Sequence, residues 1–163
     1  MIEHSATTTP AEGLAAKVLT VSDGVVAGTR EDKSGRALVE RLTVEGFDVV
    51  EHRVVADGIQ TVGEAIFEMS ERFNGLIIST GGTGFGPRDL SPEGTKMVLD
   101  REAPGLAEAM RGVNPLGRLS RGVAGTRGQA LILNTPGSTS GTIECLEAVL
   151  DVIPHAIRLL AGD

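Results

Sequence analysis

Leu76-Ile77-Ile78-Ser79-Thr80-Gly81-Gly82-Thr83-Gly84-Phe85-Gly86-Pro87-Arg88-Asp89-Leu90-Ser91-Pro92-Glu93 is the stretch whose reading decides the fold. An apolar β-like run, Leu76 to Thr80, feeds a loop with four glycines in seven residues and then a helix start at Ser91-Pro92-Glu93. Glycines let a backbone approach a ligand closely and turn successive N–H groups toward an anion. A helix N-terminus just downstream adds partial positive charge. Arg88 and Asp89 follow at once, so one loop offers an anion cradle, a cation and a carboxylate. That set suits phosphate chemistry better than a bare strand-to-helix turn.

The pattern repeats on either side. Lys17 to Val21 reads as a strand ending in Ser22-Asp23-Gly24, and Ser34-Gly35 opens a helix through Ala37, Leu38 and Leu42 that stops at Gly46. Phe47 to Val55 is a second strand, turning at Ala56-Asp57-Gly58, and Thr61 is expected to cap a helix carrying Val62, Ala65, Ile66 and Met69 on one face. Helical patterns run from Pro92 to Leu99 and from Pro104 to Met110, both prolines fitting the first helical position. Ala130 to Leu133 reads as a strand, Asn134 to Gly141 as a turn-rich loop, and helices follow around 143–150 and 154–160. Strands alternating with helices predict an α/β fold with a mostly parallel sheet covered on both faces. Ligands in such sheets bind outside the carboxyl ends of the strands, where Ser22-Asp23, Asp57, the loop 81–89 and the loop 136–138 gather.

At 163 residues the chain is expected to be a single domain over 15–163, with residues 1–14 as a disordered tail. No apolar run reaches the roughly 18–20 residues needed to span a bilayer, and the start has no apolar signal segment, so no membrane is expected. The lone Cys145, among Ile143, Leu146 and Val149, reads as a packing thiol in a reducing cytoplasm. A net charge of −7, no Trp or Tyr and only four Phe argue against nucleic acid. The charge is uneven: between Glu108 and Glu144 there is no acid, while Arg111, Arg118, Arg121 and Arg127 all fall there. That segment is read as a receiver of an anionic small molecule.

Two common phosphate motifs are excluded. Gly84 is followed by Phe85-Gly86 rather than Lys-Ser/Thr, and Pro87 stands where a dinucleotide fingerprint needs its third glycine. His4, His52 and His155 have no metal-ligand companion, and Ser22 and Ser138 have no histidine partner for a serine hydrolase. Asp57 and Asp89 stand at strand ends, where each could be an ordinary turn or cap residue. Two carboxylates facing one polyphosphate would repel it unless a cation intervened, which fits a Mg–nucleotide site, with Asp23 as a third candidate.

Thr20-Val21-Ser22-Asp23, Lys33-Ser34-Gly35, the run Gly81 to Glu93, Arg101 to Leu106, Leu119-Ser120-Arg121, Ala124-Gly125 and Pro136-Gly137-Ser138 stand in one order. In that order they closely resemble the MogA/MoaB family of molybdenum-cofactor biosynthesis, which includes the G domains of gephyrin-type proteins. The resemblance runs from about Lys17 to the C-terminus. It implies a three-layer α/β/α sandwich, a homotrimer and adenylylation of molybdopterin by Mg-ATP, giving adenylyl-molybdopterin and pyrophosphate, with hand-over to a molybdate-inserting protein. It also implies that Asp57 and Asp89 are the catalytic and Mg²⁺-holding carboxylates. Ser22, Asp23, Gly81, Gly82, Thr83, Gly84, Arg88, Ser120, Arg121, Pro136, Gly137 and Ser138 would bind pterin and nucleotide. The alternative is a non-catalytic molybdopterin-binding scaffold of the same fold. One departure is Gly58, where the family often has an acid.

Overall fold

The computed structural model describes residues 10–163. Six strands form one sheet in the order β2-β1-β3-β6-β5-β4. β1 (Ala15–Val21) pairs in parallel with β2 (Asp48–Val55) and with β3 (Gly75–Thr80), and β3 pairs in parallel with β6 (Ala130–Thr135). β3 and β6 are buried at every residue, as strands covered on both faces must be. β5 (Ala124–Arg127) runs against both β6 and the two-residue β4 (Arg101–Glu102), and so alone makes the sheet mixed. The sequence pattern predicts neither β4 nor β5. Ala-Gly-Thr-Arg is short and has little strand propensity, and only its pairing across a tight turn with β6 makes it a strand.

Side chains alternate across the sheet and so divide the core in two. Val18, Leu76, Ile78, Leu131 and Leu133 face helices α2 (Lys33–Glu45), α5 (Pro104–Arg111), α6 (Thr139–Val149) and α7 (Ile153–Leu160). Leu19, Ile77 and Ile132 face α3 (Ile59–Ser70), against which α4 (Ser91–Lys96) packs in turn. This is the three-layer α/β/α arrangement. Each such fully buried Leu or Ile contributes on the order of 1.5–3 kcal/mol. Among the described residues no helix is long and apolar enough to cross a membrane.

Several local expectations are corrected. Residues 1–9 of the expected tail lie outside the described residues, but Pro10 to Gly13 form a turn that buries Ala11 in the core, and Arg158 donates to the Pro10 carbonyl. Thr61 does not cap α3: the helix begins three residues earlier than that cap would set, with Gly58 at the N-cap, a position glycine fills well. α2 begins at Lys33, capped by Asp32, whose Oδ1 accepts the Gly35 amide at 3.0 Å. A four-residue helix α1 (Asp23–Val26) and a 3₁₀ turn (Pro115–Leu119) add to the predicted elements. Asn134 and Thr135 are strand residues rather than loop. Asn134 Nδ2 donates to Ser79 and Thr95 hydroxyls at 3.0 Å each, tying β6 to β3 and α4 through a buried polar layer in which every side-chain group has a partner.

The chain leaves β1 toward β2 on one side and returns to β3 on the other. This reversal of strand order opens a crevice at the carboxyl ends of β1 and β3. Gly81 closes it from below. Its φ is +103°, and a Cβ there would be driven into the Val21 carbonyl oxygen at the end of β1. Gly81→Ala is therefore expected to cost more than about 2 kcal/mol, read by urea denaturation, because neither the backbone conformation nor the neighbouring strand can yield.

Candidate active site

The glycine loop is held by its carbonyls. Ser91 Oγ donates to Gly81 O at 2.9 Å and the Ser91 amide donates to Gly82 O at 3.0 Å. The Arg121 amide donates to Thr83 O at 2.9 Å, and the Arg121 guanidinium reaches Gly84 O, Asp89 O and the Glu93 carboxylate together. With four successive carbonyls turned into the protein, the amides of Gly82, Thr83 and Gly84 donate to no acceptor among the described residues. The three residues line a cleft of about 880 Å³. Unpaired amides in a row along a cleft wall form an anion nest.

A second set of such donors faces the same cleft. Ser138 caps α6, its Oγ accepting the Gly141 amide at 3.1 Å, and the Thr139 and Ser140 amides of the first turn have no acceptor among the described residues. Gly137 lies against Gly81, where a Cβ would meet the Gly81 Cα at 3.4 Å, so the two anion-binding elements are neighbours. Thr80 Oγ1 donates to Pro136 O at 2.8 Å and holds this loop to β3.

The carboxylates lie on the loops after β1, β2 and β3. Asp23 and Asp57 clasp each other's backbone: the Asp23 amide donates to Asp57 Oδ2 at 2.9 Å, and the Asp57 amide to Asp23 Oδ1 at 3.1 Å. Arg88 closes the clasp from outside, with Nε donating to Asp23 at 2.6 Å and a terminal nitrogen donating to Asp57 O at 2.9 Å. Its hydrogen bond holds the Asp23 carboxyl below the usual range, and Asp23 in turn raises Arg88. Burial raises Asp57, and the charges of Asp23 and Asp89 push the same way against the Asp23 amide. Asp89 Oδ2 accepts the Gly86 amide at 2.9 Å. Asp57 Oδ1 and Asp89 Oδ1 take no hydrogen bond among the described residues. Two carboxylates that repel, each with one unused oxygen and both lining the same cleft, fit a divalent cation.

Of the residues singled out in the sequence, Ser22, Asp57, Gly81 to Gly84, Asp89, Ser120, Pro136, Gly137 and Ser138 line this one cleft. Asp23, Arg88 and Arg121 do not. Their charges are spent on the clasp and on the loop clamp, so Arg121 frames the nest rather than facing a ligand. The acid-free segment is likewise not one basic patch: Arg127 pairs with Glu71 and stacks on Phe67, Arg118 donates to Pro115 O, and only Arg111 lines the cleft. Sequence reading passes over Asp32, a buried carboxylate that accepts from Thr20 Oγ1 at 2.8 Å and meets His52 Nε2 at 2.9 Å. It also passes over Arg30, Asn114 and Glu144 in the lining, and gives Lys33, quoted only within a motif, no role there. Cys145 is buried, and its thiol is pushed up to about 11 by burial and then by Glu144, which fits packing rather than nucleophilic chemistry.

Two sets of unbonded amides and a pair of carboxylates thus meet at the topological switch point of an α/β domain, a donor set suited to phosphate groups. The model of the probable molybdopterin-binding domain matches residues 17–155. The molybdopterin adenylyltransferase of Helicobacter pylori strain J99 is 37% identical over 153 residues, covering 90% of this chain and 87% of that one. A crystal structure of the molybdopterin biosynthesis enzyme MoaB from Thermus thermophilus superposes with a TM-score of 0.85 at 45% identity, covering 92% of this chain and 98% of the other. The tungsten cofactor synthesizing protein MoaB from Pyrococcus furiosus superposes with a TM-score of 0.78 at 31% identity, over 90% and 96%. The chain belongs to the MogA/MoaB family of molybdopterin-binding proteins and to molybdenum-cofactor biosynthesis.

The raised Asp57 has a consequence for stability. The folded chain holds this proton more tightly than the unfolded chain, so folding loses stability as pH rises from the ordinary carboxylate value through the raised one. Asp57→Asn keeps an acceptor for the Asp23 amide and removes the charge. It is expected to melt above the parent at pH 7, with the gap closing toward about pH 3, in thermal scans followed by circular dichroism.

Proposed function

We propose that this protein adenylylates molybdopterin. The observation that carries the reading is the row of unbonded amides at Gly82, Thr83 and Gly84 in the cleft that also holds Asp57 and Asp89. The family relatives named molybdopterin adenylyltransferase support it. In the reaction an oxygen of the pterin's terminal phosphate attacks the α-phosphorus of ATP. A new P–O bond forms, the bond from the α-phosphorus to its β-bridging oxygen breaks, and pyrophosphate leaves with the electron pair.

Displacement between two anions is a matter of positioning and charge neutralisation. The Gly82–Gly84 amides and the first turn of α6 provide fixed dipoles for two phosphate groups, and these dipoles need no reorganisation as charge shifts. The Asp23–Asp57 clasp and the Gly86 amide on Asp89 fix the directions of the two unused carboxylate oxygens. Asp57 and Asp89 would hold Mg²⁺, which when bound offsets phosphate charge. Ala107 and Met110 from α5 and Leu116 and Leu119 from the 3₁₀ turn add apolar surface to the same cleft.

The test is pyrophosphate release from Mg-ATP by the purified protein, with and without molybdopterin. Release that requires the pterin is expected, and Asp89→Asn should lower it by about 10²-fold or more while changing pterin affinity only a few-fold. Tight pterin binding with no release would make the protein a carrier or scaffold instead.

A further inference from the structure

Glu144 lines the cleft from α6, whereas Asp57 and Asp89 line it from the loops after β2 and β3. It lies in the second turn of α6, four and five residues beyond the unbonded Ser140 and Thr139 amides, which places it about 6–8 Å along the helix from them. The cleft lining from α5, the segment after it and α6 includes apolar Ala107, Met110, Val113, Leu116 and Cys145 beside Arg111 and Asn114, with Val113 and Leu116 exposed to solvent. Glu144 is half-buried and makes no ion pair among the described residues. Arg111, the lining residue able to neutralise it from α5, donates instead to the Gly122 carbonyl at 2.7 Å. Asn114 Nδ2 donates to Glu144 Oε2 at 3.2 Å, and Asn114 is itself fixed by accepting the Leu116 amide at 2.9 Å. Oε1 takes no hydrogen bond among the described residues.

A cleft lined by unbonded amides thus also keeps, on α6, an unpaired carboxylate with its direction set. A carboxylate with one unused oxygen, beside apolar surface from α5 and the segment after it, asks for paired N–H donors on a flat, weakly polar partner. We infer that Glu144 reads the 2-amino-4-oxopyrimidine edge of the substrate's pterin, accepting the 2-amino and N3 hydrogens, and so sets which heterocycle enters. This rests on the pterin reading of the cleft but not on turnover. The same carboxylate discriminates against a 2,4-dioxo ring, whose C2 carbonyl oxygen would face Oε1 with no hydrogen between them.

The experiment uses the whole chain and two fluorescent probes, 6-hydroxymethylpterin and 6-hydroxymethyllumazine, titrated with wild-type protein and with Glu144→Gln. The expected result is that wild type binds the pterin at least about tenfold more tightly than the lumazine. That preference should collapse to within about two- to threefold in Glu144→Gln, whose melting temperature is measured alongside. Equal affinities in wild type, no binding of either probe, or an unchanged preference in a folded Glu144→Gln would each overturn the inference. Pyrophosphate release is read separately. Pterin selectivity without release would leave Glu144 in its role while removing the adenylyltransferase, and release without selectivity would do the reverse.

Discussion

Arg121 holds the site together. Its amide and guanidinium together bind Thr83 O, Gly84 O and Asp89 O, while Glu93 neutralises it. A peptide plane has two faces to offer, and fixing the carbonyls inward commits the amides outward. The nest at Gly82 to Gly84 follows from where that one side chain is anchored, together with the Ser91 hydrogen bonds that hold the preceding two carbonyls. The rigid planar fork of arginine can satisfy divergent acceptors in one geometry, which the flexible point charge of lysine cannot.

The carboxylates are arranged on the opposite logic. Asp57 and Asp89 are kept close to one another despite their charge, and burial raises Asp57 further. Backbone amides hold them in place: Asp23 N on one and Gly86 N on the other. The fold tolerates the repulsion because the surrounding strand ends are locked by a fully satisfied polar layer of Ser79, Thr80, Asn134 and Thr135. Local destabilisation of this kind is the common mark of a functional site in an otherwise consistent structure.

The glycine loop, the parallel strands and the cleft at their carboxyl ends were legible because each depends on signals a few residues apart. Gly46 ending α2 and Cys145 packing in the core belong to the same class. What escaped the sequence depends on partners far along the chain. Arg121 was visible as a site residue, but its acceptors stand 28 to 37 residues away, so that its guanidinium frames the loop could only emerge on folding. Asp32 hid beside Ser34-Gly35, since a capping carboxylate one turn earlier looks the same in sequence as an exposed one. β5 needed β6 beside it to exist at all. The acid-free segment does not present its arginines together to an anion, because Arg118 and Arg127 find their partners outside the cleft.

Because the groups proposed to hold phosphate are backbone dipoles while Arg88 and Arg121 are internally paired, capture and approach obey different rules. The chain as a whole carries a charge of −7 and repels a polyanion at long range. Amide dipoles act only within the cleft, where dissolved ions screen poorly. Moderate ionic strength therefore shortens the reach of the repulsion more than it weakens the grip, and the association of an anionic substrate should quicken as salt is added, the reverse of electrostatic steering.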